Sequence, residues 1–410
     1  MFEDKVAVRP TRARCLLTHT RRLEQDQDLR LGSMGAMPFL RENVLAAGAN
    51  LTSYFVDTPI CCPSRTTFMS GKYVHNNKVS SVNAGGCMRM NTSRCEGSDC
   101  GKYQGNPSFW TDSFIHRLRY DHGYATGVFG KLLNSMETYG CDGHEKTAPH
   151  GLDRAFIMCN PAFEDETWAD FTATGGSVYM TTGGATMGTG ENYTTSLVGN
   201  KSLAWVKEII EMGKDHPPFF AFLGPHAPHL PSTPAPWYSD HPIGLTPVPI
   251  DAIYNYSATD KHSFLATEPI IDVLNVAQIA DEHAKRLRSL LSVDDIVKEF
   301  HAYLTSVDEW DNTFFFYTSD HGYVSRPLLS LCTVTAISEC SFVVVWLVQQ
   351  LGQFRVDSHK TQVYDHVTMP PAMVRGPGIP AGVEHRFVTS MADFAPTILE
   401  LAAGPSAVPR

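Results

Sequence analysis

Thr313-Phe314-Phe315-Phe316-Tyr317-Thr318 runs without interruption into Ser319-Asp320-His321-Gly322. This junction of an apolar, β-prone run with a polar, glycine-containing loop decides the fold. Four aromatics in succession suit a strand buried on both faces, because a half-exposed strand alternates polar and apolar positions. The arrangement recurs along the chain. Ala125–Gly130 (ATGVFG) precedes Lys131, and Pro218–Gly224 (PFFAFLG) precedes Pro225-His226-Ala227-Pro228-His229. Pro371–Gly376 leads into a turn at Gly376-Pro377-Gly378. Between these runs, Ser196–Met212 repeats apolar residues at helical spacing through Leu203, Val206, Ile209 and Ile210. Val276–Leu291 and Val293–Tyr303 read as two further helices, with Ser292 and Asp295 at the spacing of an S-x-x-D capping box between them. Buried strands alternating with helices predict an α/β fold, a mostly parallel central sheet flanked by helices. Ligands of such sheets bind beyond the carboxyl ends of the strands. Three of the runs end there in Lys131, His226 and Asp320-His321.

The 410 residues, 43% apolar and 19% charged, suffice for one large α/β domain or two ordinary ones and argue against disorder. Lys plus Arg number 33 against 43 Asp plus Glu, a net charge of −10. That balance excludes a protein built to bind the nucleic-acid backbone, which needs a basic face. An anionic substrate then requires positive charge concentrated locally. Ten cysteines imply no disulfide scaffold at this length, although Cys61 and Cys62 are adjacent and Cys87, Cys95 and Cys100 cluster. Sequons at Asn50, Asn91, Asn192, Asn200 and Asn255 point to the secretory pathway. Met1 to Arg22, by contrast, has no apolar h-region and is read as containing no signal peptide.

The densest motif is Thr58-Pro59-Ile60-Cys61-Cys62-Pro63-Ser64-Arg65-Thr66-Thr67-Phe68-Met69-Ser70-Gly71-Lys72. Pro63 suits a first helical turn and Gly71 a helix end. Cys61 then stands at a helix start, where free N–H groups and the dipole favour negative charge. Arg65 adds a cationic fork that matches a tetrahedral oxyanion. Two buried cysteines beside an ordinary Pro turn is the alternative, and spacing alone leaves both open. A zinc site is poorly supported, since no second Cys/His pair stands at finger spacing. Asp320 at a strand end suits a metal ligand with His321 its neighbour, or else a solvated loop pair. His226 and His229 suit acid–base or anion-contacting roles, although with 17 histidines any single one is as readily structural. Lys131 and Lys360 gain meaning only from joint placement. Thr172–Asn192, rich in Gly and Thr, reads as a surface or substrate-facing loop.

Together these residues resemble the sulfatase family of the alkaline-phosphatase-like superfamily. Cys61-Cys62-Pro63-Ser64-Arg65 matches the C-x-P-S-R signature, and TTFMSGKYVHNN continues it. The form is most similar to the N-acetylglucosamine-6-sulfatase, extracellular sulfatase and arylsulfatase branches. Gly130-Lys131-Leu132-Leu133-Asn134, GPHAPH with STPAPWY, TSDHGY, LGQFRVDSHK ending at Lys360, and VRGPGIP follow in family order from about residue 25 to 400. The resemblance implies a sulfuric-ester hydrolase acting on a sulfated glycan or aryl sulfate. It implies that a formylglycine-generating enzyme oxidises Cys61 to formylglycine. One hydroxyl of the hydrated aldehyde would attack the sulfate sulfur, and the other would later expel inorganic sulfate. It further implies bound Ca²⁺ held by Gln25, Asp26, Asp320, His321 and the modified Cys61. Arg65 would stabilise the hydrate, Lys131, His226 and Lys360 would hold or protonate the ester, and Asn134 and His229 would contact substrate. A lysosomal or extracellular location follows from the same likeness.

The chain departs from the family pattern in places. Residues 1–24 replace the expected opening strand with RPTRARCLLTHTRRLEQ, which shows no strand pattern and reads as foreign to the fold. The catalytic domain is therefore set at 25–410, and Gln25 replaces the first acidic metal ligand. Residues 324–349 read as an insertion. Leu328–Val348 is almost wholly apolar or small, and roughly 20 apolar residues span a bilayer. A span there would separate Asp320 from Lys360, so no membrane span is expected. The C-terminal subdomain of relatives reads as truncated. Two rival readings stay open: a sulfatase-like pseudoenzyme that binds sulfated polysaccharide, and a phosphate-ester hydrolase of the same superfamily, whose usual Ser or Thr nucleophile Cys61 argues against.

Overall fold

The computed structural model describes residues 14–20, 33–82, 87–88, 109–134, 147–159, 166–181, 192–248, 273–322 and 365–403. Its strands are β1 (Arg14–Thr20), β2 (Ala49–Leu51), β3 (Tyr54–Phe55), β4 (Ala125–Gly130), β5 (Arg154–Met158) and β6 (Glu166–Thr172). They continue with β7 (Gly176–Thr181), β8 (Phe219–Gly224), β9 (Thr313–Ser319), β10 (Ala372–Arg375), β11 (Val383–His385) and β12 (Thr389–Ser390). The principal helices are α1 (Cys61–Ser70), α2 (Phe114–His122), α3 (Thr194–Ile210), α4 (Val273–Ser306) and α5 (Phe394–Ala403). Among the described residues the main sheet has the order β11-β2-β10-β9-β1-β8-β4-β5-β6-β7, and β12 pairs with β3 apart from it. The run β9-β1-β8-β4-β5 is parallel throughout. Antiparallel pairing begins at β10 on one side and β6 on the other.

Period-two alternation explains why this sheet has two cores. Phe220 and Phe222 of β8 and Phe314 and Phe316 of β9 face α1, α2 and α5, where they meet Phe68, Phe114 and Phe394. Phe219, Ala221 and Leu223 of β8 and Phe315 and Tyr317 of β9 face α3 and α4, against Val206, Leu290 and Val297. The α/β architecture and the four strand runs read from sequence thus stand where expected.

Three expectations are corrected. The N-terminal segment does hold a strand: β1 lies between β8 and β9, with Cys15 opposite Phe220 on one side and Phe314 on the other. The stretch Cys15-Leu16-Leu17-Thr18 is short and set among arginines, so its strand character is invisible locally, and pairing on both edges supplies it. The two helices expected around Ser292 are one continuous α4. Asp294 instead accepts from the Phe39 and Leu40 N–H groups at 3.0 and 2.8 Å, and Asp295 accepts from the Tyr238 hydroxyl at 3.0 and 2.9 Å. These carboxylates brace other segments rather than cap a helix. Finally, Thr172–Asn192 is not all loop, since β7 pairs antiparallel with β6. Residues 182–191 and the insertion 324–349 lie outside the described residues.

Candidate active site

Local chemistry sets up the start of α1. Ile60 is extended, Pro63 occupies the first turn, and Gly71 closes the helix in the left-handed region at φ 65°, its N–H bonded to Thr67 O. Every residue from Cys61 to Met69 is buried. The helix start points its first turn at the carboxyl end of β9, and two side chains lock them together. Arg65 Nε donates to Asp320 Oδ2 at 2.9 Å, both side chains fully buried. The Ser64 hydroxyl donates to the Asp320 carbonyl.

Beyond this lock lies a compact cluster. The Sγ of Cys61, a carboxylate oxygen of Asp320 and a ring nitrogen of His321 all lie within 4.8 Å of one another. Cys61 Sγ is 3.8 Å from His321 Nε2, and His321 Nε2 is 3.8 Å from Asp320 Oδ1. His321 Nδ1 stands 2.8 Å from the Gly322 carbonyl, which can only accept, so Nδ1 carries the proton. In the neutral ring Nε2 then turns its lone pair toward position 61.

The neighbouring strand ends complete the rim. Lys131 and His226 follow Gly130 and Gly224, and a Cβ on either glycine would collide with the backbone of the other strand end. Glycine there lets β4 and β8 close up, with Lys131 N bonded to Gly224 O at 2.8 Å. The Arg65 guanidinium reaches the same place through the carbonyls of Lys131 and Leu132. Lys131, His226 and His229 are all buried, and the two imidazoles stack at 4.5 Å and 20°. Lys131 Nζ has no hydrogen-bond partner among the described residues. His229 Nδ1 is held by the Leu230 carbonyl at 2.6 Å.

Sequence reasoning therefore named Cys61, Arg65, Asp320 and His321, which the structure joins directly, and Lys131, His226 and His229, which it sets at adjacent strand ends. Asn134 is placed beside Cys62 instead, its N–H 3.2 Å from Cys62 Sγ. Gln25, Asp26 and Lys360 lie outside the described residues. Three features were missed. Ser64 of the C-x-P-S-R motif ties the helix start to the Asp320 carbonyl. Ser319 donates to the His321 carbonyl at 2.9 Å. Cys62 forms a disulfide with Cys87, and Cys159 is disulfide-bonded too, whereas Cys61 faces Asp320 and His321. Tyr54 is also packed against this end of the sheet. Burial above all, with Asp57, Asp320 and Asp393 nearby, pushes its phenol well above the usual tyrosine range.

A family model described as Sulfatase matches residues 24–405. The chain belongs to the sulfatase family. Its relatives include an extracellular sulfatase Sulf-1 homolog of Caenorhabditis elegans, 30% identical over 390 residues, covering 93% of this chain and 46% of that protein. The N-acetylglucosamine-6-sulfatase of Homo sapiens is 28% identical over 386 residues, covering 93% of this chain and 60% of that protein. This sulfatase chain thus spans about half the length of the curated relatives it matches. Among solved structures, BT4656 in complex with its substrate D-glucosamine-2-N,6-O-disulfate superposes with a TM-score of 0.63 at 17% identity, covering 96% of this chain and 77% of that one. The fold of the sulfatase chain is accordingly the alkaline-phosphatase-like sulfatase core, a sheet flanked by helices. No helix among its described residues is long and apolar enough to cross a membrane.

Proposed function

We propose that the chain is the catalytic part of a sulfuric-ester hydrolase that releases inorganic sulfate from a sulfated glycan or aryl sulfate, with 6-O-sulfated glucosamine units the favoured glycan. The observation that carries this is the buried trio of Cys61, Asp320 and His321, braced by Arg65. Similarity to the human N-acetylglucosamine-6-sulfatase and to BT4656, bound to D-glucosamine-2-N,6-O-disulfate, supports the glucosamine 6-sulfate assignment.

In this reading the sulfur of Cys61 marks where an oxygen of formylglycine would stand. Formylglycine, made by a formylglycine-generating enzyme, would supply a regenerable oxygen nucleophile that a thiol lacks. The donors present suit a hard cation in part. Asp320 gives its Oδ2 to Arg65 and directs Oδ1 into the trio, and modification would turn position 61 into a second oxygen donor. Ca²⁺ would be held there by Asp320 and position 61 beside His321, with Gln25 and Asp26 as further ligands, and would neutralise sulfate oxygens. The chain's own residues do the rest. Arg65 orients the Asp320 carboxylate and Ser64 its backbone. His321 Nε2 accepts a proton at position 61. Lys131, buried and with its ammonium unpartnered among the described residues, meets a sulfate oxygen, as does Lys360, and the His226 and His229 pair serves the leaving oxygen. Asn134 lines the substrate side next to the disulfide.

A secretory-pathway location, extracellular or lysosomal, is part of the proposal. Disulfides at Cys62–Cys87 and Cys159 and the extracellular relative support it. The test pairs mass spectrometry of the Cys61 peptide, from a host with the modifying enzyme, with sulfate-release assays on an aryl sulfate and on 6-O-sulfated N-acetylglucosamine. Formylglycine at position 61, and turnover abolished by Cys61→Ala and by chelation of calcium, are expected. Unmodified cysteine with no release from either substrate would establish a binding-only relative instead.

A further inference from the structure

The sequons are a sequence motif that the catalytic reading leaves unused, and the fold sorts them. Asn50, Asn192 and Asn200 fall among the described residues. Asn50 sits in β2 with partners on both edges, its Cα opposite Met373 of β10 and Glu384 of β11, and its side chain is half-buried. Asn192 is half-buried at the approach to α3, followed by fully buried Tyr193 and Thr194. Asn200 differs from both. It is exposed and heads the solvent stripe of α3, with Ala204 and Glu208 exposed one and two turns further on. Leu203, Trp205, Val206 and Ile209 take the opposite side into the core. The short side chain of Ala204 leaves open surface beside Asn200, where a bulky group costs no packing. A second, independent observation comes from the other face of the sheet. Disulfides at Cys62–Cys87 and at Cys159 require an oxidising compartment, the setting in which sequons are modified.

We infer that Asn200 is an N-glycan acceptor of this protein, and that Asn50 is not one in the folded chain. The donor class is an oligosaccharide linked to a lipid through pyrophosphate. The Asn200 amide nitrogen bonds to the anomeric carbon, the sugar–pyrophosphate bond breaks, and the lipid pyrophosphate leaves with the electron pair while the amide loses a proton. In the folded helix the Ser202 hydroxyl, the third member of the sequon, is buried and donates to the carbonyls of Val198 and Gly199 at 2.7 and 2.9 Å. Transfer therefore precedes formation of α3, and the fold decides only which glycans are tolerated. At Asn200 the glycan extends into solvent. At Asn50 it would have to displace the packing over a strand held from both edges.

This inference is independent of the hydrolase reading, because its readout is the covalent state of a side chain and not turnover. The full chain is expressed behind a secretion leader in eukaryotic cells, and secreted and cell-retained protein are digested and treated with a glycosidase that leaves Asp at each formerly glycosylated Asn. The expected result is Asp at position 200 and unconverted Asn50 in the secreted protein, with Asn200→Gln carrying one glycan fewer. An unconverted Asn200 peptide from protein inside the secretory pathway, secreted or retained, overturns the inference. So does secreted, folded protein whose glycan sits on Asn50.

Discussion

Every residue of β8 and β9 is buried, whereas β7 at the far edge of the same sheet is wholly exposed or half-buried, with Met180 59% exposed. The charged groups differ in the same way. At the centre, Arg65 and Asp320 form a fully buried pair at 2.9 Å. At the flank, Asp170 of β6 is shared between Arg154, the Tyr179 hydroxyl at 3.2 Å and the ammonium of Lys201 at 3.4 Å on a partly open surface. Burial together with the Asp170 carboxylate pushes the Tyr179 phenol up to about 12. A parallel centre covered on both faces leaves polar side chains no exit except the strand ends, so they converge there. The antiparallel flank keeps its charges at a partly open surface instead.

The comparison breaks most readily at the central pair. Arg65→Met leaves Asp320 buried without its cation and is expected to lower stability by about 3–5 kcal/mol, read by urea unfolding. Lys201→Ala at the flank should cost no more than about 1 kcal/mol, since that pair is partly exposed. Equal losses would show that burial does not separate the two regions. The apolar version of the test is slightly milder. Phe222→Ala, between Phe68 and the rest of the aromatic core, should cost about 3 kcal/mol or more. Met180→Ala should stay within about 0.5 kcal/mol by the same measurement.

Asp294→Ala sharpens the picture of α4 as a brace. It strips acceptors from two N–H groups at Phe39 and Leu40 and should cost about 1–3 kcal/mol. A neutral result would mean that these N–H groups find other partners. The smallest effect is one of pH. Burial first, then the Arg119 cation, and for His150 also His116, hold the imidazoles of His116 and His150 below the ordinary histidine value. Below about pH 6.5 the unfolded chain therefore binds more protons than the folded one, and stability falls on acidification and returns as pH rises. A shallow drop in Tm from about pH 7.5 to 5.5 is expected, flattened in His116→Gln/His150→Gln. A Tm that rises on acidification would contradict the sign.

Much of this was legible locally. ATGVFG, FFAFLG and TFFFYTS each became a strand within a residue of its expected bounds, because apolar β-prone runs that end in glycine or polar residues need no distant information. Arg65 at a helix start and Asp320-His321 at a strand end were each legible locally as candidates, and only the resemblance to the sulfatase family joined them into one group. β1 was not legible, since its strand character comes from vacancies on β8 and β9 and not from its own residues. Nor was the continuity of α4 across Ser292: a capping-box spacing is necessary for a cap but does not make one when the helix finds a partner on both sides of the break.

The identity of the chemistry at this sheet's carboxyl end belongs to the sequence: which residues carry charge, which precede a helix, which follow a buried strand. The different fates of two adjacent cysteines belong to the tertiary structure. Cys62 meets Cys87 and is consumed in a disulfide, while Cys61, one residue earlier, turns toward Asp320 and His321. On a helix start the two side chains diverge by about 100° of rotation, so identical local chemistry faces different neighbours, and only the packed fold says which neighbours those are.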